Sequence, residues 1–529
     1  MLTTKSSASF YRFKKQAMQI ILSRISTSAL PLHVPRWMVC AALGAAVVYI
    51  YGSWPYRYWK KRGVKGPTMV PILGDMLRFV KFGGFRQMML ADLQEFGRVY
   101  GTYFMRRPVL VVADPDMLKQ ICIKRSENFT DRGTLGNETY PMDKGILTLK
   151  GQEWKRVRSL MTPAFSSGKM KVMFPLVEQS ARQLCDSLLK AEGSVVDVKA
   201  YFTNFTMDAV ACTLFGLQIN TQENPENEFN RNGSEIFNFD FRNWKIWLLF
   251  LLPGISVPLF KRFGISLFKQ ANLNFFQDVI SRALVEREAS VNCDEYRDFL
   301  AAMVTARREA EQQGAKGLSE HEVLAQSLTL FLAGFETTSS ALQFMAFFLA
   351  WNTDCQDRAY KEVAEAKAQN RGSITYECLQ GLTFLNQCLD ETLRLCPPAL
   401  FTDRVCTETT VINGYEVEKG VNVRIPIVSI AHDPEAWENP EVFNPDRFAR
   451  GSTDGAGLAH FLPFGMGPRS CIGMRLAQME IRKAMAELLL AVEFRTAPDT
   501  KPYEQLDYKA TTISAVKEPI KLRILSRKA

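Results

Sequence analysis

A chain of 529 residues, 47% of them hydrophobic and 23% charged, can bury a large core and is excluded from the disordered class. Its eleven cysteines stand singly with no C-x-x-C pair. The four histidines, His33, His321, His432 and His460, are dispersed, so no zinc spacing or disulfide framework is written in the chain and a reducing, cytosol-facing compartment fits. The net charge of +10 belongs to residues 1–65, which hold eleven Lys and Arg and no acid; the rest carries about −1, so the basic pI argues for no nucleic-acid partner.

From the N-terminus, residues 1–36 form a basic, Ser-rich segment, followed by the uncharged stretch 37–54. As a helix that stretch is about 27 Å long, enough to cross hydrocarbon. Trp37 and Trp54 at its ends, with Tyr49 and Tyr51, suit the two membrane interfaces. Its depth in the chain argues against a cleaved signal peptide, while residues 1–36 also have the composition of a mitochondrial transit peptide. Basic residues on both sides leave the orientation open. Residues 55–74 read as a basic, proline-rich linker and 75–529 as one folded body. That body is predicted to be mainly α with a small β part: helical runs at 151–165, 173–191, 266–290, 319–351, 383–396 and 472–494, and strand patterns at 109–112 and 421–427.

Three places in the body carry chemistry. Ser319 and Glu322 are spaced as a capping box opening a nearly apolar run, broken in its middle by Gly334, Glu336, Thr337, Thr338, Ser339 and Ser340. Ala333 and Thr337, four apart, share one face, where a small residue beside a hydroxyl makes a niche for a diatomic ligand. The competing reading is a Thr-rich kink bonded back to its own carbonyls. Further on, Glu391-Thr-Leu-Arg394 ends an apolar helix stopped by Pro397-Pro398. The same E-x-x-R pattern recurs at Glu95, Glu153 and Glu228, where it reads as solvated helix surface. Finally, in Phe464-Gly-Met-Gly-Pro-Arg-Ser-Cys471-Ile-Gly473 a lone cysteine sits behind a glycine-rich turn and opens a helix. Gly465, Gly467 and Gly473 would clear room for a flat cofactor, and the helix N-terminus would favour a thiolate, the ligand that haem iron uses for O–O cleavage.

The last segment resembles the haem-binding signature F-x-x-G-x-R-x-C-x-G of the cytochrome P450 family at every fixed position, and the resemblance extends over roughly residues 60–520. It implies a single large cytochrome P450-type fold behind an N-terminal transmembrane helix, with haem b whose iron takes Cys471 as axial thiolate. Phe464, Gly473 and Ala333 would line the cofactor, and Trp154, Arg158, Arg404 and Arg469 would meet its propionates. Ala333-Gly-Phe-Glu-Thr-Thr338 looks like the family's oxygen-activation segment, in which Thr337 donates a hydrogen bond to bound dioxygen and Glu336 lies on the proton relay. Glu391 and Arg394 would join Arg447, of Pro445-Asp446-Arg447-Phe448, in a buried network.

The resemblance implies a monooxygenase that inserts one oxygen atom of O2 into a lipophilic small molecule (a steroid, fatty acid or xenobiotic). Electrons would come from NADPH through NADPH-cytochrome P450 reductase, with cytochrome b5 as a second partner, since no nucleotide motif is present. Lys155, Arg156, Arg475, Arg482 and Lys483 are expected to form the reductase's docking face. Asn128-Phe-Thr-Asp-Arg132 and the 154–158 motif point to the microsomal animal clan that holds drug- and steroid-oxidising enzymes and thromboxane synthase. The expected location is the endoplasmic reticulum membrane with the body facing cytosol, or alternatively the mitochondrion. The apolar residues 246–252 are either core or a patch on lipid. Two other functions stay open: a same-fold isomerase acting on peroxides, and a haem-binding sensor or carrier.

Overall fold

The computed structural model describes residues 35–133, 140–236, 243–266, 268–290, 296–452 and 459–527, in two compact units, 1–55 and 56–529. In the first, helix α1 (Arg36–Ser53) exposes apolar side chains such as Trp37, Val47 and Ile50. A helix apolar on every face belongs in a core or in a membrane. The helical run Trp37–Lys61, 25 residues, is long and apolar enough to cross one.

The second unit is mostly helical. Its principal elements, in order, are α2 (Phe85–Phe96), β1 (Val99–Phe104), β2 (Arg107–Val112), α3 (Gly151–Met161), α4 (Ser167–Leu189), β3 (Val195–Asp197), α5 (Val198–Phe215), α6 (Trp244–Leu251), α7 (Pro253–Arg262), α8 (Gln270–Ala289), α9 (Phe299–Gln312), α10 (Glu320–Trp351), α11 (Thr353–Gln369), α12 (Thr383–Leu395), β4 (Thr402–Val405), β5 (Thr410–Ile412), β6 (Tyr415–Val417), β7 (Asn422–Ile425), α13 (Met474–Ala491), β8 (Val492–Thr496) and β9 (Lys521–Ser526). One sheet has the order β1-β2-β7-β4, with β2 and β7 parallel and the outer pairs antiparallel; a second runs β3-β9-β8 and a third is the hairpin β5-β6.

The six predicted helical runs are present, with ends moved by identifiable chemistry. The run at 151–165 breaks into a 3-10 turn, Thr162–Phe165, where Pro163 lacks an N–H to continue the ladder. The run at 173–191 begins at Ser167 because Ser166 caps it, its hydroxyl accepting from Lys169 N. The tail of 472–494 leaves the helix to form β8. The predicted runs omit α5, which is buried on nearly all sides and so shows no amphipathic stripe. Asp197 caps it at the start and Gly216, at φ 66°, ends it in the left-handed region.

Ser319 and Glu322 make the capping box in full, each side chain bonding the other's backbone N–H. From there α10 runs 32 residues through the main core, against α5, α12 and α13. Ala333 and Thr337 lie near the middle of α10's course, and Cys471 stands in the loop that leads into α13.

Candidate active site

The cysteine loop is a pair of tight turns. Cys471 N donates to Phe464 O (2.8 Å) and Ser470 N to Gly467 O (2.9 Å), with Gly465 and Gly467 at φ 74° and 75°. A Cβ on Gly467 would collide with the Cys122 carbonyl, so this glycine answers to protein backbone and not to a cofactor. Gly473 is different: a Cβ there meets nothing nearer than Phe165 at 4.0 Å, which is room for a flat ligand. Phe464 packs on the core beside it.

Cys471 is exposed although protein surrounds it on nearly every side, the situation of a residue in the wall of an internal space. That enclosure pushes its thiol up; the Gly473 N–H, Arg132 and Arg158 pull it down by less. The N–H at the helix start thus pulls toward the thiolate, the sense expected from the sequence, but by less than burial opposes it. A metal cation at the sulfur would tip the balance, because coordination deprotonates a thiol.

Four arginines gather at this loop: Arg132, Arg158, Arg404 and Arg469. Burial lowers all four; Arg132 falls to about 10 with Arg404 adding to the effect, and Arg469 to about 9 with Arg132 and Arg404 adding. Among the described residues none of the four forms an ion pair. The nearest acids are committed elsewhere, Asp403 to Arg424 (3.1 Å) and Asp131 to the N–H of Gly151 (2.9 Å). Arg132 Nε, Arg404 Nη2 and the indole Nε1 of the buried Trp154 have no partner among the described residues. Buried cations repelling one another, with open donors and no carboxylate, fit an absent dianion, and the two propionates of haem supply that charge. Sequence reading placed Trp154, Arg158, Arg404 and Arg469 here but missed Arg132, which stood in a quoted motif without a role.

On α10 the buried run opens at Ala333, which is exposed, and at Thr337. Thr337 Oγ1 donates to Ala333 O at 2.6 Å, the back-bonded arrangement weighed as the competing reading, and leaves its lone pairs open. Gly334 faces the other way, where a Cβ would press on Val210 of α5. Glu336 does not join Thr337: its carboxylate pairs with Lys199 of α5 (3.1 Å), whose ammonium also donates to Ser339 Oγ (2.8 Å). Burial pushes Lys199 down and Glu336 opposes that. No local pattern in the sequence marked Lys199.

The Glu391 network is present atom by atom. Arg394 forks onto Glu391 with Nε (2.7 Å) and Nη2 (2.9 Å), Arg447 Nε adds a third bond (3.1 Å), and Asn444 N a fourth (2.9 Å). Arg394 Nη1 caps the carbonyls of Ala431 (2.8 Å) and Pro440 (2.7 Å). Of the other E-x-x-R copies, Glu228 and Arg231 are the solvated helix pair expected, 3.7 Å apart, whereas Arg98 lies past the helix end and leaves Glu95 for the buried Asp433, and Arg156 keeps Glu153 while also reaching the buried Glu322.

The expected basic docking face is corrected. Lys483 is fully buried, its ammonium held by Glu178 (2.9 Å), Glu487 (2.5 Å) and Ile374 O (3.3 Å). Arg156 is committed to Glu153 (2.8 Å) and to Glu322, and Arg482 reaches Gln380 (3.2 Å). Lys155 and Arg475 remain exposed.

A family model described as Cytochrome P450 matches residues 64–524. Among curated relatives, cytochrome P450 3A29 of Sus scrofa is 33% identical over 496 residues, covering 92% of this chain and 96% of the relative. Cytochrome P450 3A5 of Homo sapiens is 33% identical over 500 residues (94% and 97%), and cytochrome P450 3A27 of Oncorhynchus mykiss 32% over 510 (95% and 96%). Such relatives agree with the microsomal animal clan expected from the motifs, and members bind haem b through a cysteine thiolate. With a thiol, a set of unsatisfied cationic donors and a matching model over most of its length, the chain belongs to the cytochrome P450 family.

Proposed function

We propose that this monooxygenase holds haem b between the cysteine loop and the Ala333–Thr337 face of α10, with Cys471 as the axial thiolate and Arg132, Arg158, Arg404 and Trp154 around the propionates. The single observation that carries this reading is the set of buried guanidinium and indole donors left without an anion around one thiol. Bound haem supplies reductive cleavage of dioxygen and transfer of one oxygen atom to substrate. The chain does the rest. Gly473 N–H stabilises the thiolate, Ala333 keeps the space open, and Thr337 accepts a hydrogen bond while its own proton rests on Ala333 O. When the hydroxyl turns off that carbonyl it becomes a donor toward the site. Glu336, paired with Lys199, takes the relay place that the resemblance implies.

Substrate is a lipophilic small molecule, met by apolar residues of the segments near 399–403 and 512–516, which are stitched together through Leu400 N and Thr512 O (3.2 Å). Electrons come from NADPH-cytochrome P450 reductase, with cytochrome b5 as second donor, docking where Lys155 and Arg475 stand exposed. The body faces cytosol at the endoplasmic reticulum membrane. Helices α6 and α7 present Trp244, Trp247, Leu251, Leu252, Ile255 and Leu259 to the outside and rest on lipid, the patch reading of residues 246–252.

The test is Cys471→His. The ferrous carbon-monoxide complex should lose its thiolate-type red-shifted Soret band while still binding haem; retention of that band would overturn the assignment.

A further inference from the structure

Helix α5 grips the middle of α10 through one of its faces. Thr206 Oγ1 donates to Phe335 O (3.0 Å), Val210 lies where a Cβ on Gly334 would press, and Lys199, seven residues before Thr206, reaches Glu336. The Lys199 ammonium is held at three points: the Glu336 carboxylate (3.1 Å), the Glu336 carbonyl (3.4 Å) and Ser339 Oγ (2.8 Å). Thr337 follows Glu336 about 100° further round the helix, so one acid borders both the side that α5 grips and the face that Ala333 and Thr337 present.

Protein surrounds Lys199 on nearly every side, yet its side chain and that of Glu336 keep 23% and 22% of their surface accessible. The pair therefore stands on the rim of a space that water can enter. The charged groups facing Lys199 are Glu336 on α10, Asp197 on β3 and Lys509 of the C-terminal segment. Asp197 is half-buried and caps α5, its carboxylate accepting from Lys199 N (3.0 Å), while Lys509 is exposed. Burial pushes the ammonium down, Lys509 adds to that, and Glu336 and Asp197 oppose it by less. Lys199 also lies in the first turn of α5, where the helix dipole disfavours a cation. In such a pair the lysine carries the proton, and a carboxylate facing it has none to give until it is handed one.

We propose that Lys199 is a positioning residue for proton supply: it hands its proton to Glu336 and is refilled from solvent on the Asp197–Lys509 side. One N–H bond breaks on Lys199 and one O–H bond forms on Glu336, leaving a neutral amine and a neutral acid. The amine then takes up a solvent proton, so that, net, one proton is carried inward. Enclosure eases the transfer, because two buried charges are replaced by none. The neutral acid, no longer drawn to an ammonium, is free to turn its O–H toward the Thr337 face. This deepens the haem-thiolate reading above and rests on it.

The experiment uses the haem-loaded full chain and two readouts. The first is an NMR titration of the diamagnetic ferrous carbon-monoxide form, with every lysine labelled at Cε; the Lys199 signal is the one missing from Lys199→Gln. Lys199 should lose its proton below the ordinary 10.5, and Glu336→Gln should lower that midpoint by about one unit more, tenfold in proton affinity. A midpoint at or above 10.5, or one that Glu336→Gln leaves in place, would overturn the proposal. The second readout is the coupling of NADPH consumption to product as a function of pH. Coupling should fall in the wild type as pH rises through the Lys199 midpoint. Lys199→Arg keeps a cation beside Glu336, but a guanidinium does not release its proton. Haem loading and the urea midpoint should hold in this variant, while coupling drops about tenfold and loses that pH dependence. A positioned proton donor is worth roughly a hundredfold, and water replaces part of it. Wild-type coupling in Lys199→Arg would reduce the pair to a structural tie and overturn the proposal; if that variant does not fold, the titration decides. Absence of the thiolate-type Soret band in the unaltered chain would instead count against the haem-thiolate reading itself.

Discussion

Arg394 and Arg447 are buried against one carboxylate, Glu391, whereas Arg132 and Arg158 lie by a thiol, with Arg404 beside Arg132, and among the described residues none of the three forms an ion pair. In the first cluster the donors are consumed within the protein: Arg394 alone makes bonds to Glu391, Ala431, Pro440 and Val442. In the second, burial pushes the guanidinium groups down, Arg404 and Arg158 adding to it at Arg132, and donors stay open. Burial costs the same kind of desolvation in both places. The difference is where the compensating charge comes from: the chain's own glutamate in one and, on the function proposed above, the haem propionates in the other.

The contrast can be broken most sharply at Glu391. Glu391→Ala leaves two buried arginines without their anion and should destabilise the chain by about 3–5 kcal/mol, read as a fall in the urea midpoint. Removing a member of the open cluster should behave otherwise. Arg158→Ala should speed haem loss roughly 10- to 100-fold, the worth of one charge-assisted bond, while the haem-free chain unfolds at the same urea concentration or a higher one. Equal destabilisation by the two substitutions would erase the distinction between the clusters.

A third kind of buried charge sharpens it further. Glu480 on α13 is fully buried, its Oε1 has no partner among the described residues, and burial alone raises it from the ordinary 4.5 to about 8. The folded state therefore keeps a proton that the unfolded state releases, so stability is whole below pH 4.5 and is lost as pH rises toward 8. Inside that window the loss is at most about 1.4 kcal/mol per pH unit. Glu480→Gln should flatten this slope in urea titrations at pH 5.5, 6.5 and 7.5; an unaltered slope would mean that Glu480 finds a partner in solution. The smallest structural effect is expected at Thr337. Thr337→Ala removes one back-bonded hydroxyl in a cavity wall and should move stability by no more than about 1 kcal/mol. Its effect should fall on coupling, with more reducing equivalents lost to peroxide or water per product formed.

The legible parts of the molecule were the local ones. Ser319 with Glu322, Gly465 with Gly467, and Ala333 with Thr337 act within one helical turn or one tight turn, so their spacing in the sequence already carries their geometry. Glu391 and Arg394 were legible for the same reason, and Arg447 through the resemblance. Lys483 was misread because the partner that most sets its burial, Glu178, lies 305 positions away on α4. Lys199 and Glu336 are 137 residues apart and meet only because α5 packs along α10. The three carbonyls that accept from Arg469, those of Thr130, Ile146 and Leu149, are likewise more than three hundred residues distant. Charge on a helix face does not say whether that face meets water or another helix; tertiary packing decides it.

One helix also constrains how this chain can change over generations. At 32 residues, about 48 Å, α10 is fastened at its start by the Ser319 cap and along its first turns by Gln326, whose Oε1 accepts from Ile146 N, and only further on does it present Ala333 and Thr337. Each residue turns the helix by about 100°. A single deletion or insertion between Gln326 and Ala333 would turn Ala333 and Thr337 by about 100°, in opposite senses, off the face they now present, whereas like-sized substitutions along the same stretch leave their bearing intact. Length between these fixed points is therefore the heritable quantity, and lineages should drift in composition there while holding the count.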